Sequence, residues 1–440
     1  MRILQVVHGF PPKQRAGTEI YTYYLSKELA KNHEVHVFYP ELEHIKKPNL
    51  VSFNSENLII HKLRYPSTKI SRFWNMFFFE KTYLNRSIED LFKKLIKEIN
   101  PDIIHFEHLI GLSSTFIEIA KELEIPTVLT LHDYWFMCPN VHLLDYNYRI
   151  CNGPKASKCH RCWIKKQSKD LSETLNKYYI PDYLTVKPFE MVLKFLNPIE
   201  KFKERIEYMK STLLKVDKII APSKFLREIF IKYGIPQDKI IYSENGYNLD
   251  IFKGFRKKKK NVDKIIFGFA GGISRHKGVH VMIDAFMDIP EDKAELRIYG
   301  NYNSNSKYVK ELLKKIKGKR NIKFMGKFED VKIPYSEIDV LIVPSIGHET
   351  GGPLVIREAL ITKTPIVASR VGSIPELVIN KVNGLLFEPG NSKDLHDKIM
   401  QIIENPNLID MFKQNIKSPR DIKEQVMEIE KIYYSILRSR

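Results

Sequence analysis

The chain has 440 residues, 43% of them apolar and 11% aromatic, too many for one ordinary core and too apolar for a disordered chain. Its 71 Lys and Arg against 52 Asp and Glu leave a formal charge of +19, which favours anionic partners such as nucleotides, phosphorylated lipids or an acidic membrane leaflet. No apolar run approaches the roughly eighteen residues of a membrane span, and no recognition module for nucleic acid is present, so nucleic acid is excluded as a partner.

The opening "MRILQVVHGFPP" reads as a first strand stopped by two prolines, not as a secretory signal, which predicts a cytoplasmic chain. From there, short β-branched runs alternate with amphipathic helical patterns, the signature of parallel sheets built from βαβ units. "RILQVVH", "EVHVFY", "LIIHKL", "DIIHFE", "TVLTLH" and "DKIIA" are the strand candidates of the first half. "TEIYTYYLSKELAKN" and "SIEDLFKKLIKEI" are helices between them. A lysine-rich stretch, "FKGFRKKKKNVD", reads as a linker or exposed loop, and "KIIFGFA", "AELRIYG", "NIKFM", "DVLIVP" and "PIVAS" are the later strands. Each half has one strand of the form Asp-x-x-x-x-Pro-Ser, ending at Ser223 and at Ser345. The expected fold is α/β, two doubly wound Rossmann-like domains facing a cleft, with residues 1–248 on the acceptor side and 249–421 on the donor side. A last helix, 422–440, is free to pack back on the first. Ligands of such sheets bind beyond the carboxyl ends of the strands.

Two stretches carry the chemistry of the second half. In "FGFAGGISRHKGVHVMIDAF", Gly271 and Gly272 let backbone N–H groups approach a phosphate, and Arg275 and Lys277 supply full positive charge at a helix start. In "PSIGHETGGPLVIREALITKTPIVAS", Glu349 and Glu358 bracket a Gly-Gly-Pro turn that opens a helix.

With these residues on the page the chain resembles the family-four retaining glycosyltransferases of the GT-B fold. "PPKQRAGTEIYTYYLSKELAKNHEVHVF" resembles the family's first strand–loop–helix, with Gly17 in the glycine loop. "LTLHDYW" resembles its His-Asp stretch, and "IIAPSKFLREIF" with "ENGYNLDIF" its interdomain region. "SRHKG", "GPLVIREAL", "TPIVASRVGSIPELV" and "NGLLFEPGN" resemble its donor domain. The resemblance implies a UDP-, GDP- or ADP-linked sugar as donor and a glycan or lipid-linked acceptor. It implies Arg275, Lys277 and the backbone N–H groups of Leu354 and Val355 on the diphosphate, with Gly17 and Gly272 admitting the donor. Glu358 would accept from the ribose hydroxyls, and Glu349, or Thr350 in its place, would meet the transferred sugar. His132 would face the donor sugar and is the candidate general base. With no Asp-x-Asp motif, catalysis is expected without a metal cofactor. Two departures from the family pattern stand out: Glu349 and Glu358 lie one residue further apart than usual, and Pro353 stands where a glycine is common. A catalytically silent GT-B scaffold and a sugar-nucleotide epimerase are the alternatives.

Two further segments invite readings of their own. "SRFWNMFFFEKTYLNR" sets Trp74, Phe77, Phe78, Phe79 and Tyr83 among Arg72, Lys81 and Arg86, which suits either an interfacial helix on the inner face of an anionic membrane or packing on the domain core. All four cysteines, Cys138, Cys151, Cys159 and Cys162, fall directly after the His-Asp stretch. A structural zinc held by the four, two disulfides, and free thiols are all open.

Overall fold

The computed structural model describes residues 1–66, 77–175, 182–259, 264–304 and 306–439, excluding the side chains of 173–175 and 182–185. Its contacts divide the chain into two compact units. Met1–Tyr146, Cys151–Tyr247 and Arg420–Arg440 form the first, and Asn147–Ile150 with Asn248–Pro419 the second.

The first unit is built on β1 (Arg2–Val6), β2 (Glu34–Glu43), β3 (Asn49–Ser55), β4 (Leu58–Pro66), β5 (Ile103–Phe106), β6 (Thr127–Thr130), β7 (Lys218–Ala221) and β8 (Ile240–Tyr242). They form one sheet in the order β3-β4-β2-β1-β5-β6-β7-β8, parallel except where β3 runs against β4. Alternate residues of each strand enter opposite cores. Leu4, Phe38 and Ile104 join Phe92 and Phe116 on one face, whereas Ile3, Val37 and Ile103 join Leu25 and Tyr433 on the other. Burial on both faces is why the inner strands β1, β5, β6 and β7 are mostly apolar. Helix Glu89–Ile99 shows the local logic: Phe92, Leu95, Ile96 and Ile99 make its buried face, Glu89 and Asp90 sit at its positive end, and Asn100 closes it at φ 48°. The last helix, Ile422–Arg438, packs in this unit, where Gln425 Oε1 accepts from Gly246 N–H at 2.7 Å.

β9 (Ile265–Ala270), β10 (Ala294–Tyr299), β11 (Ile322–Gly326), β12 (Val340–Val343), β13 (Ile366–Ser369) and β14 (Gly384–Phe387) build the second unit. Their order is β11-β10-β9-β12-β13-β14, all parallel. Strand order therefore reverses between β1 and β5 in one sheet and between β9 and β12 in the other. These reversals are the switch points where open α/β sheets bind ligands.

The repeated Asp-x-x-x-x-Pro-Ser gains a structural cause at its acidic end. Asp217 accepts from Thr127 N–H at 2.8 Å and Asp339 from Ile266 N–H at 2.7 Å, each tying down the start of a neighbouring strand. The serines diverge: Ser223 caps helix Lys224–Lys232 by accepting from Leu226 N–H, while Ser345 donates to Glu349.

The aromatic segment 72–86 is corrected where it can be seen. Phe79 is fully buried, stacked on Phe202 at 3.7 Å and edge-on to Trp163 at 5.3 Å, and Tyr83 is buried with it. Phe77 meets Phe189, and Phe78 alone of the three phenylalanines is exposed, with the Lys81 ammonium 5.5 Å from its ring. Core packing therefore claims Phe79 and Tyr83, because Asn197 pins the local backbone: its Oδ1 accepts from Phe79 N–H and its Nδ2 donates to Phe77 C=O. Arg72 and Trp74 lie outside the described residues.

Candidate active site

In the second unit the chain leaves β9 through Gly271, at φ +145°, and Gly272. A Cβ on Gly272 would meet nothing within 4 Å, so open space lies beside that backbone. The following turn, Arg275–Lys277, ends at Gly278, whose φ of +70° and 1.7 Å from a notional Cβ to Pro344 C=O demand glycine. That close approach lets Ile346 N–H donate to His276 C=O at 3.0 Å, tying the loop after β9 to the loop after β12. The two loops flank the switch point.

Lys277 Nζ donates to Glu349 Oε1 at 2.7 Å, and Ser345 Oγ donates to the same oxygen at 2.6 Å. Burial pushes the Glu349 carboxyl up, but the Lys277 charge and the two hydrogen bonds outweigh it and hold it below the ordinary carboxylate range. The Glu349 backbone is fixed too: its C=O accepts from Ser373 N–H and Oγ, and a Cβ on Gly372 would lie 2.3 Å from it. Arg275 is held more loosely, 4.9 Å from the Tyr308 ring and 3.3 Å from Glu311, with 38% of its side chain exposed.

Helix Leu354–Ile361 starts after Pro353 with no side-chain cap, so the N–H groups of Leu354 and Val355 stand in its unsatisfied first turn. Buried Arg357 braces the turn between the two acids by donating to Gly352 C=O at 2.5 Å. Thr350 lies half-buried in that segment. Glu358 is 7% exposed and accepts from the Tyr335 hydroxyl at 2.6 Å. It is a built-in acid, not a surface helix glutamate.

The first unit gathers a second polar cluster where β1, β5 and β6 end. His132 Nε2 donates to Glu107 Oε2 at 2.7 Å, and Glu107 is buried. His105 lies 3.7 Å from the other Glu107 oxygen and is itself bonded to Tyr433 and Thr130. Burial pushes the His105 imidazole down towards its neutral form. His108 contacts Asp133 at 2.8 Å, His8 contacts Glu19 at 3.2 Å, and the His8 and His108 rings are 4.6 Å apart. Burial raises both acids, and the histidines more than reverse it, leaving Asp133 and Glu19 below their ordinary values. Gly17 opens helix Gly17–Leu29, which carries Glu19 and Tyr21 towards this cluster. Nothing in the local pattern around "HFEH" marks Glu107. The signal available was its position directly after the strand that pairs with β1.

All four cysteines lie in the first unit. All are free thiols, and among the described residues no three His, Cys, Asp or Glu side chains are gathered to hold a metal. Cys138 is buried and its thiol pushed up to about 12, and burial raises Cys162 to about 11. Cys151 Sγ donates to Gly153 C=O, and Asn140 Nδ2 donates to Cys162 Sγ. These side chains behave as small packed thiols, and no step is assigned to a metal.

Two Rossmann-like α/β units, each with its polar residues at a switch point, define the GT-B class. The chain belongs to glycosyltransferase family 4: the model described as Glycosyltransferase Family 4 matches residues 15–251, and Glycosyl transferases group 1 matches 250–418. An uncharacterised glycosyltransferase of Methanocaldococcus jannaschii is 29% identical over 55% of this chain and 64% of its own length. A second from that organism is 27% identical over 72% of this chain and 82% of its own. The capsular polysaccharide biosynthesis glycosyltransferase CapM of Staphylococcus aureus is 22% identical over 55% and 68%. Among solved structures, Anabaena HepE in complex with UDP superposes at TM-score 0.64, with 17% identity over 99% of this chain and 100% of that one. Sucrose-phosphate synthase from Thermosynechococcus elongatus does so at 0.66 and 17%, over the whole of both chains. At such identities the likeness shows the fold. No described helix is long and apolar enough to cross a membrane.

Proposed function

We propose that the chain transfers a hexose from a nucleotide sugar to a lipid-linked glycan, with retention of configuration. The observation that carries this is the cationic switch point of the second unit, where Arg275 and Lys277 stand beside glycine backbone and the loop leading to an uncapped helix N-terminus. In the reaction the acceptor hydroxyl oxygen bonds to the sugar's anomeric carbon while the bond from that carbon to the diphosphate breaks. The acceptor proton passes to the departing diphosphate oxygen, and the nucleoside diphosphate leaves. Lys277 and Arg275 neutralise charge that grows on the departing oxygen, a contribution of about 10²–10³-fold for one well-placed donor. Glu349, already ionised, is paired with Lys277 in the loop after β12, where the sugar hydroxyls are expected, with Thr350 beside it. Glu358 takes the ribose. In the first unit Glu107 fixes the tautomer of His132, with the Nε2 proton on the carboxylate side. CapM, by its name a glycosyltransferase of capsular polysaccharide biosynthesis, supports a glycan acceptor.

Work at the inner face of an anionic membrane is part of this reading. Its support is helix Asp182–Leu196, where Met191 is 71% and Phe195 86% exposed with Val192 exposed beside them. Lys187, Lys194 and Lys203 are exposed as well. The test is thermal stabilisation by UDP-, GDP- and ADP-sugars. A ligand at a hundred times its dissociation constant stabilises by about 2.7 kcal/mol, and no response to any of the three would end the proposal.

A further inference from the structure

A cavity of about 400 Å³ lies in the first unit between helix Gly17–Leu29, the loop after β1 and the β3–β4 hairpin. Its walls are Phe10, Tyr23, Tyr24, Tyr39 and the aliphatic Leu58 and Ile60, with Arg15 among the polar residues. The walls are held in place by contacts of their own. Phe10 stacks on Tyr39 at 5.5 Å and meets Tyr23 edge-on at 5.7 Å. The Tyr23 hydroxyl donates to Glu56 at 2.5 Å, and Lys27 holds the same carboxylate at 3.0 Å. The Tyr23 hydroxyl and the Glu56 charge are thus spent on each other.

We infer that this cavity is an acceptor subsite for the hydrocarbon chain next to a phosphate, as in a polyprenyl or alkyl phosphate. The inference rests on the transferase reading above and names the part of the acceptor bound in the first unit. Three observations select that ligand. Eight of the thirteen lining residues are aromatic or aliphatic, and against Leu58 and Ile60 the hydroxyls of a sugar would lack partners where a hydrocarbon needs none. Arg15 is exposed and has no carboxylate partner among the described residues, so its guanidinium is available to a phosphate. Val51 and Phe53, two apart on β3 and therefore on one face, are exposed at 38% and 43% and continue the apolar surface out of the cavity. A long chain has somewhere to run.

The probe is farnesyl phosphate, titrated calorimetrically into the full chain beside inorganic phosphate and glucose. Wild type should bind farnesyl phosphate and neither of the others measurably. Arg15→Ala, at an exposed position, should weaken farnesyl phosphate about tenfold and leave farnesol binding unchanged. Ile20→Gln, on the half-buried helix face lining the cavity, should weaken both by about tenfold. Melting curves of the two variants establish that they fold. Equal farnesyl phosphate affinity in wild type and both variants, or glucose binding in place of farnesyl phosphate, overturns the subsite. Thermal shifts of the unaltered chain with nucleotide sugars decide the transferase reading separately, so loss of one does not imply loss of the other.

Discussion

The two switch points hold polar groups in opposite states. In the first unit Glu107 and His132 are buried against each other, with His105, Tyr433 and Thr130 completing a closed network. In the second, Lys277 and Arg275 keep about a third of their side chains in solvent, at 33% and 38%. The difference teaches where a ligand's charge can be met. Solvated cations exchange water for phosphate at modest desolvation cost, whereas a buried acid–imidazole pair is already committed and acts through its orientation.

The sharpest way to break that contrast is Lys277→Ala. It should lower turnover by about 10²–10³-fold with little change in melting temperature, since a partly exposed cation is removed. Turnover within a few fold of wild type would mean the second unit's cations are not on the leaving group. Glu107→Gln comes next. It should lower kcat by about ten- to a hundredfold while nucleotide-sugar thermal shifts stay intact, and it should alter the pH–rate profile, because the group orienting His132 has lost its charge. A change in KM alone, with the profile unmoved, would reduce Glu107 to a structural residue.

Glu349→Gln should cost about tenfold in turnover, less than Lys277→Ala. It frees the Lys277 ammonium from its ion pair, so nucleoside diphosphate should bind no more weakly than in wild type. Weaker diphosphate binding in this variant would show that Glu349 positions Lys277 and does more than neutralise it.

The smallest effect is on pH. Burial, with the neighbouring His36 adding to it, lowers His61 from 6.5 to about 4. A histidine whose folded value is depressed binds its proton in the unfolded chain first, so stability falls as pH drops below about 6.5. At pH 5 the cost from this residue is on the order of 1–2 kcal/mol. Urea midpoints at pH 7.5 and 5 should therefore differ less in His61→Asn than in wild type. Equal differences would place the acid sensitivity elsewhere.

Much of this fold was legible in the strands themselves. Buried parallel strands are apolar from end to end, and eleven quoted runs, from "RILQVVH" to "PIVAS", coincide with β1, β2, β4 to β7 and β9 to β13. β3 escaped because six of its seven residues are exposed, which erases the alternation that betrays a strand. β8, of three residues, is too short to carry a pattern, and β14 was quoted only for its resemblance, inside "NGLLFEPGN". The glycine-and-cation loop after β9 was legible for a similar reason. Glycines, cations and a helix start adjoin in sequence, so their chemistry is local.

What tertiary structure alone decided is which charges meet. Glu107 and His132 are 25 residues apart and Lys277 and Glu349 are 72 apart; only neighbouring strands ending side by side bring each pair within hydrogen-bond reach. Phe79 and Phe78 are adjacent and chemically identical, yet one is fully buried against Phe202 and the other is 36% exposed. Cys138, Cys151, Cys159 and Cys162 are free thiols, two of them buried, a state their spacing did not decide. A side chain's type and its neighbours along the chain set what chemistry it is capable of. Its protonation, partner and burial depend on groups delivered from elsewhere, and those the amino-acid order expresses only through the fold.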